Sequence, residues 1–156
     1  MLDIVSRFQT QATLDNYMLL YGAKAFLNYE LSNQDLTEGT VIIGIFPVID
    51  TAISIAQSNR ISRFSTSLTI WFGRKFDIDG EGDTTGTLAE LDETYKQKYD
   101  RRLYAMKLLL ISFVEAVVCG SELELTSFRM TDAINQTDEN IDFISCDIII
   151  QHDIDY

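Results

Sequence analysis

The sequence predicts an α+β fold in which an antiparallel or mixed β-sheet carries one long and one short helix packed on one side. Apolar residues recur at steps of three and four from Leu88 to Val118, which predicts the long helix. Shorter apolar runs before and after it have the length and alternation of strands. The chain has 156 residues, 46% of them hydrophobic, enough for one core but hardly two. We therefore expect a single domain over residues 1–156.

The first part of the chain predicts a short helix and a strand. In Leu2–Gln11 the apolar residues Leu2, Val5 and Phe8 recur every three positions, as in a short amphipathic helix that lies on the domain. Tyr17–Glu30 mixes aromatic strand formers with Ala, Leu and Lys, and a strand is favoured over Ala25–Glu30. The polar stretch Leu31–Thr40 is typical of a turn or loop.

Two further strands are predicted before the long helix. Val41–Ile49 is almost continuously apolar and indicates a strand buried on both faces, with Pro47 at its end or at a bulge. Thr51–Asn59 is compatible with a loop or a wandering edge strand. Residues 63–76 alternate between apolar and polar, which indicates a half-buried strand. Trp71 interrupts the polar parity, so we expect its indole at a lip or an interface.

The long helix follows an acidic, glycine-rich stretch, Asp77–Gly86, which predicts a loop. Its first half is charged on one side and its second half is apolar almost all round. We therefore expect the helix to enter from solvent and to end deeply packed, with Gly120 as its C-cap. The apolar stripe consists of Leu88, Leu91, Tyr95, Tyr99, Leu103, Met106, Leu110, Phe113 and Val117.

Two strands complete the chain. Glu122–Ile134 alternates, but its apolar parity shifts partway, and a β-bulge near Thr126 would reconcile the two halves. The turn Asn135–Asn140 leads into a last strand over Ile141–Ile150.

The charge distribution bears on possible partners. Lys and Arg total 12 against 24 Asp and Glu, and the net charge of −12 argues against a general basic footprint for nucleic acid or anionic lipid. The basic residues cluster, which favours head-to-tail contact between copies. Ordinary pairs along the helix, such as Asp92 with Lys96, explain its basic members equally well. The candidate interface residues are Trp71, Arg74, Lys75, Lys96, Arg101 and Arg102.

The acidic loop is the sharpest local signal for a bound ligand. Carboxylates at alternate positions around a glycine can converge on a hard cation such as calcium. An EF-hand requires a bidentate glutamate where this chain has Leu88 and an apolar anchor where it has Thr84. A solvated acidic loop is therefore favoured over a calcium site. The candidate metal ligands are Asp77, Asp79, Glu81 and Asp83.

No catalytic constellation is visible, and we predict neither an enzyme nor a cofactor. His152 is the only histidine, and at the end of the chain we expect it to be solvated. Cys119 and Cys146 lack a metal-type spacing and lie in apolar runs, so no disulfide is expected. No signal peptide is recognisable at the start, and no run approaches the roughly 18 apolar residues of a membrane span. The sequence therefore predicts an intracellular, soluble protein.

The order of elements resembles that of the tail-terminator and neck proteins of tailed bacteriophages. The resemblance rests on the strand ending in IGIFPV, the WFGRKF strand with its acidic loop, the helix YKQKYDRRLYAMKLLLISFVEAV and the final strand ENIDFISCDIIIQ. It implies a small α+β domain with helices packed against an antiparallel sheet, whose copies form a ring that closes the tail or joins it to the head connector. It also implies that the loop Asp77–Gly86 and the basic helix face contact neighbouring rings, and that the C-terminal strand belongs to the core sheet.

The resulting hypothesis is a structural virion protein, a tail terminator or connector, assembled in the host cytoplasm. Its expected partners are copies of itself and other neck, portal or tail proteins, with no sequence-specific nucleic acid contact and no membrane. The extended segment Tyr17–Asn59 departs from many members of that family and leaves the layer of the neck or tail open. The alternative is a small-ligand or calcium-binding α+β domain that uses loop 77–86.

Overall fold

The computed structural model describes residues 2–23, 27, 29–31, 36–37, 39–46, 50–55, 61–75, 92–119, 122–133 and 141–153. The helices and strands follow the order α1 (Leu2–Leu14), β1 (Met18–Tyr21), β2 (Val41–Ile45), β3 (Asp50–Ile55), β4 (Ile61–Lys75), α2 (Asp92–Val118), β5 (Leu123–Ala133) and β6 (Ile141–Asp153). This is an α+β arrangement with a mixed sheet, so the predicted fold class is confirmed.

The sheet is built on β4, which pairs on both of its edges. Its strand order is β1-β2-β4-β6-β5, and β3 pairs with β4 beyond the end of β2. β1 and β2 are parallel and the other pairs are antiparallel. β6 lies between β4 and β5, as expected for a core strand. β2 ends at Ile45, two residues before Pro47, which itself lies outside the described residues.

One face of the sheet carries α1 and α2 over the main core. Apolar residues four apart on α1, namely Ile4, Phe8 and Ala12, are buried there. The ring of Phe113 on α2 packs against that of Phe8 at 5.8 Å between centroids. Burial of a side chain as large as that of Ile4, Phe8 or Phe113 contributes roughly 1.5–3 kcal/mol relative to an exposed one. The predicted stripe of the long helix is confirmed at Leu103, Met106, Leu110, Phe113 and Val117.

Among the described residues, the opposite face of the sheet is covered at one end, by the segment that was predicted to be a strand. Leu27 and residues 29–31 are helical, so the strand expected over Ala25–Glu30 is wrong; the nearby strand is β1. Leu27 and Leu31 are four residues apart and therefore share one helical face. Leu31 packs in a second buried cluster with Trp71 and Phe143. Helices thus lie on both faces, with α1 and α2 together on one.

The bulge predicted near Thr126 is confirmed. The pairing of β5 with β6 shifts register between Leu125 and Ser127. The Thr126 hydroxyl donates to the carbonyl of Ile149 at 3.2 Å. Because one extra residue is accommodated here, Leu125 and Phe128 point to the same face although their positions differ in parity.

Candidate functional site

Trp71 lies in the interior of the monomer. Its side chain is 8% exposed, and its ring packs against Phe46 at 5.0 Å and Phe143 at 5.2 Å between centroids. The expectation of an indole at a lip or an interface is therefore wrong, because the segment containing Leu31 and Leu36 covers this end of the sheet. A side chain buried to this extent offers no surface to a partner subunit.

Among the basic residues predicted at an interface, Arg74 is the one whose side chain the structure describes. The Arg74 side chain is exposed at the end of β4, and its guanidinium lies against Gly39, where a Cβ would come within 3.2 Å of Nη2. Lys75 belongs to β4, while Lys96, Arg101 and Arg102 belong to α2, but their side chains lie outside the described set. Their role in an interface stays a prediction. So does calcium binding, since Asp77, Asp79, Glu81 and Asp83 also lie outside the described residues.

A polar groove of about 680 Å³ lies between the end of α1 and the segment before β2. One wall runs from Asp15 to Met18, and the other contains Thr37 and residues 39–41. Burial and the nearby Asp15 carboxylate raise the pKa of the Tyr17 phenol, and Arg74 partly offsets this. Among its described lining residues, the groove combines the Asp15 carboxylate with a phenol that stays protonated near neutral pH. The groove is widely open to solvent.

The outer face of α2 is the largest departure from the sequence prediction. Its second half was expected to end deeply packed, but Tyr104 is 64%, Leu108 47% and Leu109 36% exposed. The sheet and α1 cover one side of the helix, whereas the run Leu108–Ile111 spans more than one full turn. One covering layer therefore cannot bury the whole run. The sequence contained this signal in the apolar residues that surround the second half of the helix.

A salt bridge marks one border of this outer face. Lys107 Nζ lies 2.8 Å from a carboxylate oxygen of Asp132 on β5, and both side chains are about one third exposed. The ion pair ties the middle of α2 to the edge strand, although a partly exposed pair contributes only up to about 1 kcal/mol. We define the outer face of α2 as Tyr104, Ala105, Leu108, Leu109 and Ser112, which are all exposed.

The remaining chemistry-bearing residues of the described ranges do not form a reactive set. His152 is in β6 and half-buried, so the expectation that it is solvated is wrong; its ring lies 5.3 Å from that of Phe64. Burial raises the pKa of the Cys146 thiol to about 12, which keeps it protonated and unreactive near neutral pH. Cys119 is a free, exposed thiol just after α2. Among the described residues, no group of three or more His, Cys, Asp or Glu side chains could hold a metal ion.

Comparison of the sequence with models of known protein families finds no match, and neither does comparison with curated protein sequences. Of the helices in the described ranges, none is long and apolar enough to cross a membrane.

Proposed function

We propose that this protein is a structural component of a tailed-bacteriophage virion, which forms a ring of identical subunits at the neck or tail end and joins the head to the tail. The layout of its strands and long helix, which resembles the tail-terminator and neck proteins, supports this class. The observation that carries self-assembly is the outer face of α2, where Tyr104, Leu108 and Leu109 are exposed. Contiguous apolar surface of this kind marks sites of protein–protein contact.

The outer face of α2 suits a neighbouring subunit better than a small ligand. It lies on the convex side of a helix whose inner side is already packed, and a small molecule would find no concavity there. Large aromatic and aliphatic side chains are the usual centre of a protein interface, with polar groups at the rim. Arg101 and Arg102, one helical turn before Tyr104 and Ala105, would supply such a rim. Their acidic counterpart is abundant in a chain of net charge −12.

The proposed work of the protein is docking rather than chemistry. If each subunit contacts the next through two different patches, the same rotation relates every neighbouring pair. The subunits form a closed ring when repeats of that rotation add up to a full turn. The ring would present its two ends to different virion proteins, portal or connector on one side and tail on the other. The protein would act in the virion after assembly in the host cytoplasm.

The proposal is tested by the mass of the purified protein. Light scattering and electron microscopy should give a ring-sized particle, alone or with its neighbouring virion proteins. A variant with Leu108→Glu and Leu109→Glu should shift the mass from that of a ring to that of a monomer or a dimer, because two charges would be buried in the ring contact. The matched control, Gln9→Glu with Thr10→Glu, adds the same charge at exposed positions of α1 and should leave the ring intact.

The charged start of α2 is tested in the same assay. Reversal of Arg101 and Arg102 to Glu should weaken assembly while circular dichroism shows a folded monomer. An unfolded monomer would mean that these side chains are buried, which contradicts the proposed rim. A protein that stays strictly monomeric at high concentration, also with its virion partners, would overturn the proposal as a whole.

A further inference from the structure

The strand β5 lies at an edge of the sheet. Within the described ranges it pairs with β6 and with no other strand, and its eleven residues contain no proline. The outer edge of such a strand presents backbone N–H and C=O groups that a further strand can pair with. The surface that this edge offers depends on how its side chains are sorted between the two faces.

The bulge at Thr126 sorts these side chains into an apolar row and a charged row. Leu125 pairs with Ile150 and Phe128 with Ile148, so both point towards the helices. The apolar row is half-buried at the margin of the main core and consists of Leu123, Leu125, Phe128 and Met130. The other face carries Glu124 and Arg129, which pair with Gln151 and Asp147 of β6 and are exposed.

In one antiparallel register, the two rows of one copy match the same two rows of a second copy. If Leu125 is placed opposite Phe128 of a second copy, Leu123 falls opposite Met130, and Glu124 falls opposite Arg129. Each pair occurs twice because the arrangement is two-fold symmetric. Paired residues in neighbouring strands must point to the same face, and only the bulge gives Leu125 and Phe128 a common face. The register therefore joins apolar with apolar and acid with base.

We propose that the β5 edges of two copies of this protein pair antiparallel about a two-fold axis centred on the bulge, so that one sheet continues across both copies. The half-buried apolar row of each copy would then be covered by that of the other. Two-fold pairing of this kind is distinct from contact around a ring and does not depend on the proposed function. It can join two free subunits, or two rings face to face.

A charge swap tests the pairing. Arg129→Glu places two acids opposite one another twice in the dimer, and Glu124→Arg does the same with two bases. Each single variant should weaken two-fold association about tenfold or more, measured by sedimentation in the Leu108→Glu, Leu109→Glu background, where ring contacts are removed. The double variant Glu124→Arg with Arg129→Glu restores opposite charges and should recover most of the association.

The effects within one chain are separated by a control and by the rescue. Glu124 also accepts a hydrogen bond from Arg63 at 3.1 Å, so thermal unfolding of each variant checks the monomer. The double variant also lacks the hydrogen bond from Arg63. If its two-fold association nevertheless recovers, only restored contact between the two copies explains the recovery. The matched control Glu122→Arg makes the same charge change at an exposed position that falls opposite Thr131 in the proposed register. It should associate as strongly as the Leu108→Glu, Leu109→Glu background protein does.

Association that is unchanged by the single variants, or that the double variant fails to recover, would overturn the proposal. A background protein that is monomeric at every concentration would overturn it as well. Since the parent protein would still form rings in that case, failure of the β5 pairing is distinguishable from failure of ring assembly.

Discussion

The two ends of one face of β4 are covered very differently. At one end Trp71 packs in a buried cluster with Leu31 and Leu36, whereas Ser67 and Thr69, on the same face of the same strand, are half-exposed. The residue type follows what packs on the strand. A large apolar residue lies where another segment packs on the sheet, and residues with hydroxyl groups lie where none of the described residues packs. The comparison shows that the periodicity of a strand reports its surroundings residue by residue, and not for the strand as a whole.

Truncation of Trp71 should produce the largest effect on stability. Trp71→Ala removes a side chain that packs between Phe46 and Phe143, and we expect a loss of about 3–5 kcal/mol in the free energy of unfolding. Urea unfolding followed by circular dichroism measures the loss. Tyr104→Ala, which removes an exposed aromatic ring, is the control and should cost far less. A loss below about 1 kcal/mol for Trp71→Ala would show that the second cluster contributes little.

Adding a methyl group at Gly73 should have an intermediate effect on stability. A Cβ on this residue would collide with the ring of Phe143 and lie 3.0 Å from Ile141. We expect Gly73→Ala to cost about 1–3 kcal/mol by overpacking, measured by thermal or urea unfolding. Gly44→Ala meets the end of the flexible Leu27 side chain at 2.8 Å, which can move, so its loss should be smaller. The reverse order would contradict the packing described for this end of the sheet.

Substitution at the open end should have the smallest effect. The Thr69 hydroxyl donates to Asp147 Oδ1 at 2.7 Å, but the carboxylate is exposed and can bind water instead. We expect Thr69→Val to cost about 1 kcal/mol or less. Ser67→Ala, next on the same face, gives the baseline for loss of a hydroxyl there. A loss comparable with that of Trp71→Ala would mean that this end of the sheet is covered too.

The parts of the fold that could be predicted are those fixed by local periodicity. The stripe of α2 follows from spacing alone, and the parity shift in Glu122–Ile134 already contained the bulge at Thr126. The helical turn at Leu27 and Leu31 was missed because aromatic residues around it suggested a strand, although the spacing of the two leucines fits a helix.

The candidate surfaces were harder to predict, because exposure depends on what packs against each element. Trp71 was expected at an interface since it interrupts a polar parity, yet the same interruption signals a second buried cluster. For α2, apolar residues on all sides do not reveal which side is covered. The exposed Tyr104 and Leu108 follow only from the positions of α1 and the sheet.

The position of β6 determines when β5 can join the sheet as the chain is synthesised. β6 lies between β4 and β5 but follows both in sequence, and Thr69 bonds to a residue 78 positions later. Pairing over such separations makes folding slow. Until residues 141–153 leave the ribosome, β5 has no partner among the described strands, and Phe128 and Met130 have no finished core to pack on. Exposed apolar strands of this kind aggregate or are held by chaperones. Pairing of β5 with β6 therefore has to come before any contact that uses β5, and β6 sets the time at which the described sheet is finished.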